Sequence, residues 1–240
     1  MTHTRSDPRL PPPAHWRAAI PPALRRWWAG APRLALENTG ALLLPALLPL
    51  RPSDRLLEIG CGRAALSAVL AERARLTCAP VGLEADRRLL LPPHDTAVFV
   101  QGRPTHLPFE ENAFTVIVAG HQIRTWSDAA LRAFLAEAWR VLAHNGLLVL
   151  WEVAPSRSAT INRVWRTLLA QPDSGVQLRR FAEISHMARE AHFAWIQTLR
   201  VQPIIWPPGP RVGVLMRKEY YDSRTIGLRR DQSPPYRPPP

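Results

Sequence analysis

Short apolar runs alternate with helical patterns between residues 55 and 153, and this alternation constrains the fold more than any other feature of the chain. Five runs have the length and the Val, Ile, Leu and Phe content of buried strands. These runs cover residues 55–59, 79–83, 97–101, 114–119 and 147–153, with helical spacing over residues 64–74 and 127–142. The pattern predicts an α/β fold with a doubly wound, Rossmann-like and mostly parallel sheet.

The last part of the folded region differs from this alternation. Residues 156–191 have mostly helical spacing, and two strand-like runs follow at residues 195–201 and 212–216. A proline-rich segment joins these two runs, and no helix fits between them. We therefore expect them to form a C-terminal antiparallel hairpin.

Composition at the two ends predicts the domain limits. Residues 1–30 are a Pro/Arg-rich N-terminal arm, residues 31–220 are the folded domain, and residues 221–240 are a disordered, basic, Pro-rich tail. The first residues lack the apolar region of a secretion signal. Residues 41–50 are apolar but too short to cross a bilayer. These features predict a soluble protein without a transmembrane segment.

Charge and cysteine content narrow the partners only in part. The net charge is +12, from 31 basic and 19 acidic residues, and all but one of the basic residues are arginine. Because the arginines are scattered, they do not favour nucleic acid, they leave peripheral membrane contact open, and they fit a compositional bias equally well. The two cysteines form no disulfide or metal-ligand pattern, so we predict a cytoplasmic protein without a metal. The sequence does not indicate the oligomeric state.

A glycine motif follows the first predicted strand. Glu58-Ile-Gly60-Cys-Gly62 precedes a helical run, and such a turn lets the backbone approach a ligand closely. The spacing also fits a dinucleotide fingerprint or a simple tight turn. A carboxylate two residues before the first glycine favours a ligand with a cationic head. Glu84 ends the second strand, where a carboxylate can hold ribose hydroxyls.

The ordered set of motifs resembles the class I S-adenosylmethionine-dependent methyltransferases, and in particular their quinone, sterol and other small-molecule branch. Leu56-Leu-Glu-Ile-Gly-Cys-Gly62 is similar to their motif I, and Leu107-Pro-Phe-Glu-Glu-Asn-Ala-Phe114 is similar to the segment that enters strand four. The resemblance covers residues 34–153. It implies S-adenosylmethionine as cofactor, with Gly60 and Gly62 along its methionine and ribose, Glu58 at its amino-acid end and Glu84 at its ribose.

One position departs from that family. Where its members commonly have Gly-Asp-Ala after strand three, this chain has Gly102-Arg103-Pro104. Arg103 has only donors and Pro104 has no N–H, so both usual contacts to adenine are missing. Two lost hydrogen bonds of about 1 kcal/mol each correspond to roughly tenfold to hundredfold weaker binding. Thr105 and His106 are the candidates for replacement contacts.

The catalytic candidate is His121, which follows the fourth strand at the expected mouth of the site. A neutral imidazole there could take a proton from the molecule that receives the methyl group, or it could only line the pocket. The acceptor is expected to be a small apolar molecule, enclosed by residues 32–48 and 156–191. We interpret Cys61 as a packing residue rather than a reactive thiol.

Three functions remain open at this point. The first is methyl transfer to that small acceptor. The second is a non-catalytic binding or assembly protein of the same fold, a hypothesis motivated by Arg103-Pro104. The third is an RNA methyltransferase, which the positive charge suggests but no RNA-binding motif supports.

Overall fold

A computed structural model describes residues 48, 50–62, 65–87, 97–170, 175–201, 204 and 209–219. Seven strands form one sheet in the order β3-β2-β1-β4-β5-β7-β6. Strands β1 to β5 are parallel, and β7 is antiparallel to both β5 and β6. The chain winds outward from β1 to β3 and then returns to β4 on the other side. The predicted doubly wound sheet and its antiparallel C-terminal hairpin are confirmed.

The strands are short except for the fourth, fifth and seventh. They are β1 (Leu56–Ile59), β2 (Val81–Glu84), β3 (Val98–Gln101), β4 (Phe114–Gly120), β5 (Leu142–Val153), β6 (Trp195–Thr198) and β7 (Arg211–Arg217). The helices, numbered here among the described residues, are α1 (Ala65–Ala74), α2 (Asp128–Val141), α3 (Ala159–Leu169) and α4 (Phe181–Glu190). Ser127 begins α2 as predicted, because its Oγ accepts a hydrogen bond from the Ala130 N–H over 3.1 Å.

Two apolar layers cover the sheet. On one face α2 and α4 pack against the strands, and the fully buried Leu57 and Ile117 lie beneath Phe134. On the other face Leu70 of α1 packs with neighbouring residues of β1 and β4, among them Val118. Because successive strand residues point to opposite faces and both faces are covered, the central strands are apolar at most positions. This coverage of both faces explains the continuous apolar runs in the sequence.

The end of β7 is tied to the end of α2 by the single lysine of the chain. Lys218 is 8% exposed. Its Nζ donates to Leu142 O over 2.7 Å and to Asn112 Oδ1 over 3.0 Å. The ammonium also lies 5.5 Å from the centre of the Trp139 ring. A cation near the carbonyl groups that end a helix is favourable, so Lys218 stabilises the junction of α2, β5 and β7.

Some expectations need adjustment or lie outside the described residues. The helical segment 156–191 is two helices, α3 and α4, and β6 ends at Thr198 rather than at residue 201. None of the helices that the structure describes has the length and hydropathy needed to cross a bilayer. The arm 1–30, the segment 32–48 that is expected to enclose the methyl acceptor, except for Leu48, and the tail 221–240 are outside the described part. The domain limits therefore stay predictions.

Candidate functional site

The loop between β1 and α1 carries two glycines with left-handed backbone conformations. φ is +68° at Gly60 and +50° at Gly62, a region in which other residues are strained. The N–H groups of Gly60 and Cys61 donate to Leu83 O over 2.8 and 3.2 Å. These bonds fix the loop at the carboxyl ends of β1 and β2, next to the point between β1 and β4 where the strand order reverses. Open α/β sheets bind their ligands at this place.

The surroundings of the two glycines differ. A Cβ atom on Gly60 would overlap the side-chain amide of Gln122, and Gln122 Nε2 donates to Gly60 O over 3.3 Å. A Cβ atom on Gly62 would meet no atom of the described residues within 4 Å. Within the part of the chain that the structure describes, the Gly62 backbone therefore borders open space. A ligand that reaches Gly60 has to contact or displace the Gln122 amide.

Glu58 in β1 is a buried carboxylate beside this loop. Its Oε2 accepts hydrogen bonds from the Ser67 hydroxyl and, over 3.0 Å, from the Ser67 N–H in α1. Burial raises the pKa of Glu58 from 4.5 to about 7, against the effect of the Ser67 bonds, and the charge of Glu84 adds to the rise. A cation bound nearby would lower this pKa and favour the ionised form.

Glu84 ends β2 and joins it to the glycine loop. Its Oε2 accepts a hydrogen bond from the Gly62 N–H over 3.1 Å. Its Oε1 accepts from the Ala85 N–H over 2.8 Å and from the Asp86 N–H over 3.1 Å. A carboxylate has about four lone-pair positions. Among the described residues three backbone N–H groups occupy such positions, which leaves one for a further donor.

Cys61 lies between the two glutamates. Its side chain packs with Ala97 and Phe99. Burial and the negative charges of Glu58 and Glu84 raise the pKa of its thiol to about 12. The thiol is therefore protonated and unreactive at neutral pH, which agrees with the prediction of a packing residue.

The turn after β3 lies beside the β2 end. Gly102 N–H donates to Glu84 O over 3.1 Å, and the turn closes with a bond from the His106 N–H to Arg103 O over 3.0 Å. Thr105 Oγ1 lies 3.2 Å from His106 Nδ1. Both Arg103 and His106 are exposed, so their polar groups are available to a ligand.

His121 follows β4 with φ +56° and is 8% exposed. Its Nδ1 lies 3.2 Å from Glu152 Oε1 in β5. Arg124 also contacts this carboxylate, with Nη1 3.2 Å from Oε1. Despite its burial, the pKa of Glu152 is lowered to about 2, chiefly by the Arg124 charge and then by the His121 hydrogen bond. Glu152 is therefore ionised at all ordinary pH values.

The segment that carries His121 is fixed from outside the sheet. Arg179 is 4% exposed, and its guanidinium donates to Ile123 O and Trp126 O, each over 2.6 Å, and to Asp128 Oδ1 over 2.8 Å. These bonds hold the turn between β4 and α2 in place. Trp126 itself packs edge-on against Phe134, with ring centres 5.0 Å apart, so it is partly buried against the core.

The predicted site residues divide into two groups. Glu84 bonds directly to the glycine loop through Gly62, beside the buried Glu58. The other predicted residues occupy the ends of the next strands, with Thr105 and His106 after β3 and His121 after β4. Sequence reasoning did not find the roles of Gln122, Ser67, Arg124 and Glu152. Only Glu152 leaves a visible signal, which is a carboxylate within the otherwise apolar run of residues 147–153.

A comparison with family models adds to this geometry. The sequence model of a protein family described as a methyltransferase domain matches residues 57–150, from β1 through most of β5. This match, together with the sheet topology, supports a class I S-adenosylmethionine-dependent methyltransferase. No curated protein matches the chain in sequence. The assignment to the quinone and sterol branch stays a prediction.

Solved structures of several methyltransferases share the fold of this one. A putative methyltransferase in complex with the Haloferax volcanii Trm112 activator is 14% identical, with TM-score 0.62, over 86% of this chain and 97% of that one. Human N-acetylserotonin methyltransferase, in complex with S-adenosylmethionine, is 15% identical, with TM-score 0.60, over 82% of this chain and 54% of that one. The methyltransferase SibL is 16% identical, with TM-score 0.64, over 85% of this chain and 61% of that one. The chain thus spans little more than half of the last two proteins.

Proposed function

We propose that the chain binds S-adenosylmethionine at the carboxyl ends of β1 to β4 and transfers its methyl group to a small apolar acceptor. The observation that carries the proposal is the pairing of Gly62 with Glu84. It joins the glycine backbone after β1, which flanks the reversal point of the sheet, to a carboxylate at the end of the neighbouring strand β2. When bound, the cofactor supplies a methyl group activated by a positively charged sulfur.

Each residue of the site has a role that its surroundings allow. Glu58 attracts the cofactor ammonium, and Gly60 and Gly62 let the backbone approach the cofactor closely. The remaining lone-pair position of Glu84 accepts from a ribose hydroxyl. Thr105 and His106 lie where adenine contacts would be needed, in place of those that Arg103-Pro104 cannot make.

Substitution of Glu84 tests the placement of the ribose. We expect Glu84→Gln, which keeps one acceptor oxygen, to weaken S-adenosylhomocysteine binding by about 1–2 kcal/mol, and Glu84→Ala to weaken it by about 2–4 kcal/mol. The measurement is calorimetric titration with S-adenosylhomocysteine, and with NAD on the same preparation. Glu190→Gln is a matched control, because its ion pair with Arg132 is 43% exposed on both sides and remote from the loop.

The alanine variant also removes the acceptor of three backbone N–H groups, so its melting temperature must be recorded beside its affinity. If the folded Glu84→Ala variant binds S-adenosylhomocysteine as tightly as the parent, the ribose does not lie at Glu84. Tighter binding of NAD than of S-adenosylhomocysteine would indicate a dinucleotide site instead.

A non-catalytic protein of the same fold is the second candidate. It is favoured by Arg103-Pro104 and by the Gln122 amide over Gly60. If the site is only weakened, Arg103→Asp combined with Pro104→Ala restores an acceptor and an N–H, and S-adenosylhomocysteine binds at least tenfold more tightly. Unchanged affinity in a titration of the folded double variant would instead support a closed or repurposed pocket.

A further inference from the structure

Two buried polar atoms near the end of β4 have no hydrogen-bond partner within the part of the chain that the structure describes. They are Nε2 of His121 and Nε1 of Trp151, whose residues are 8% and 2% exposed. Leaving such an atom unpaired costs about 1–3 kcal/mol. Native proteins pair nearly all such atoms, so two of them on neighbouring side chains indicate a missing hydrogen-bonding group.

The two side chains are neighbours. Trp151 pairs with Gly120 across β4 and β5, and its indole lies directly over Gly120, where a Cβ atom would overlap the ring. The His121 N–H donates to Trp151 O over 2.9 Å. The two rings meet edge-on, with centres 6.4 Å apart and planes at 88°. Gly120 thus leaves room for the indole ring, which lies next to the imidazole ring.

The negative charge of Glu152 decides which ring nitrogen of His121 carries a hydrogen atom. Because the pKa of Glu152 is about 2, this carboxylate can only accept hydrogen bonds. His121 Nδ1 must therefore carry the hydrogen of the 3.2 Å contact to Glu152. In the neutral ring Nε2 then has a free lone pair, whereas Trp151 Nε1 is only a donor.

One donor beside one acceptor fits a hydroxyl group, which can give its hydrogen to one and accept from the other. A carbonyl oxygen has no hydrogen to give, and an ammonium group has no lone pair. We propose that Trp151 and His121 form the subsite that binds the methyl acceptor, and that they select a hydroxyl group as the nucleophile for O-methylation. This inference rests on the proposed function.

The resulting step balances. The hydroxyl oxygen forms a bond to the methyl carbon, the carbon–sulfur bond breaks with its electron pair going to sulfur, and the hydroxyl proton goes to His121 Nε2. The ring is then a cation whose Nδ1–H faces the negative Glu152. Glu152 is a positioning residue, and Arg124, the other charged group on this carboxylate, keeps it ionised.

Binding of three matched probes to the complex with S-adenosylhomocysteine tests the subsite. Phenol can donate and accept, anisole can only accept, and toluene can do neither. We expect phenol to bind at least tenfold more tightly than anisole, and anisole more tightly than toluene.

Variants of the two residues test their separate contributions. His121→Asn, chosen because Asn also tolerates positive φ, lowers the affinity for phenol to the affinity for anisole. Trp151→Phe weakens both oxygen-bearing probes about fivefold, and Trp139→Phe serves as the indole control.

Nitrogen-15 NMR of the parent protein gives a second readout that needs no variant. We expect His121 to carry its hydrogen on Nδ1, and both His121 Nε2 and the Trp151 indole N–H to shift when phenol is added. Equal affinities for phenol and anisole, no binding of either, or a direct Trp151–His121 bond that phenol leaves unchanged would overturn the subsite. Failure of S-adenosylhomocysteine to bind overturns the proposed function instead, and phenol titration of the free protein then still decides the subsite.

Discussion

The charge on Glu58 is the property of a single residue on which the stability of the fold depends. Its carboxyl is buried against Ser67, and its pKa of about 7 lies above the ordinary 4.5. The folded protein therefore holds a proton on Glu58 between these two pH values, whereas the unfolded chain has lost it. The free energy of unfolding must fall as the pH rises through this window.

We expect Glu58 to lower the free energy of unfolding by about 2–3 kcal/mol between pH 4.5 and pH 8, since one pKa unit corresponds to about 1.4 kcal/mol. Glu58→Gln, which does not titrate, should lose less stability over the same range. Urea unfolding of both proteins at pH 5 and pH 8 measures the difference, in which the other titrating groups cancel. Identical pH dependence in the two proteins would show that Glu58 titrates normally.

At the scale of elements, α2 fixes the segment that leads into β4. Arg140 Nη1 donates to Phe109 O over 2.8 Å, and its Nη2 donates to Leu107 O over 2.9 Å. Glu137 accepts from the Leu107 N–H over 2.7 Å and from Arg140 Nε over 2.8 Å, and the Arg140 contact lowers the pKa of Glu137. Two side chains one helical turn apart thus supply the hydrogen bonds that this irregular segment cannot make for itself.

Loss of these hydrogen bonds should lower the stability of the fold, although Arg140 is partly exposed. We expect Arg140→Met to lower the free energy of unfolding by about 1–3 kcal/mol, because two backbone carbonyl groups and Glu137 lose their donor. Arg132→Met on the same helix is the control. Its ion pair with Glu190 is 43% exposed on both sides and should contribute about 0–1 kcal/mol. Equal losses in the two variants, measured by denaturant unfolding, would contradict the role assigned to Arg140.

The start of β5 shows where local sequence signals fail. Asn145-Gly146 predicts a turn before the strand, and Asn145 does have φ +61°. Yet the strand begins at Leu142, with a shift in register against β4. The reason is pairing with a distant segment, because the Asn145 N–H donates to Lys218 O over 2.8 Å and the Lys218 N–H donates to Gly146 O over 3.0 Å.

At the scale of the whole molecule, apolar periodicity was sufficient to predict the sheet, its winding and the final hairpin, because a buried parallel strand must be apolar on both faces. The glycine loop was also visible, since Gly60 and Gly62 adopt conformations that favour glycine. The second half of the site was not visible. Gln122 bonds to a residue 62 positions away and His121 to one 31 positions away, and neither pairing has a local pattern.

Lys218 holds the only side-chain amine among the 240 residues, and it is enclosed where β7 meets the end of α2. Reagents that acylate amines, and enzymes that attach acetyl groups or ubiquitin to lysine, therefore find no accessible lysine on the folded chain. Modification must wait until β7 separates locally from its neighbours. The rate at which this side-chain amine is modified thus measures how often the junction of β7 and α2 opens.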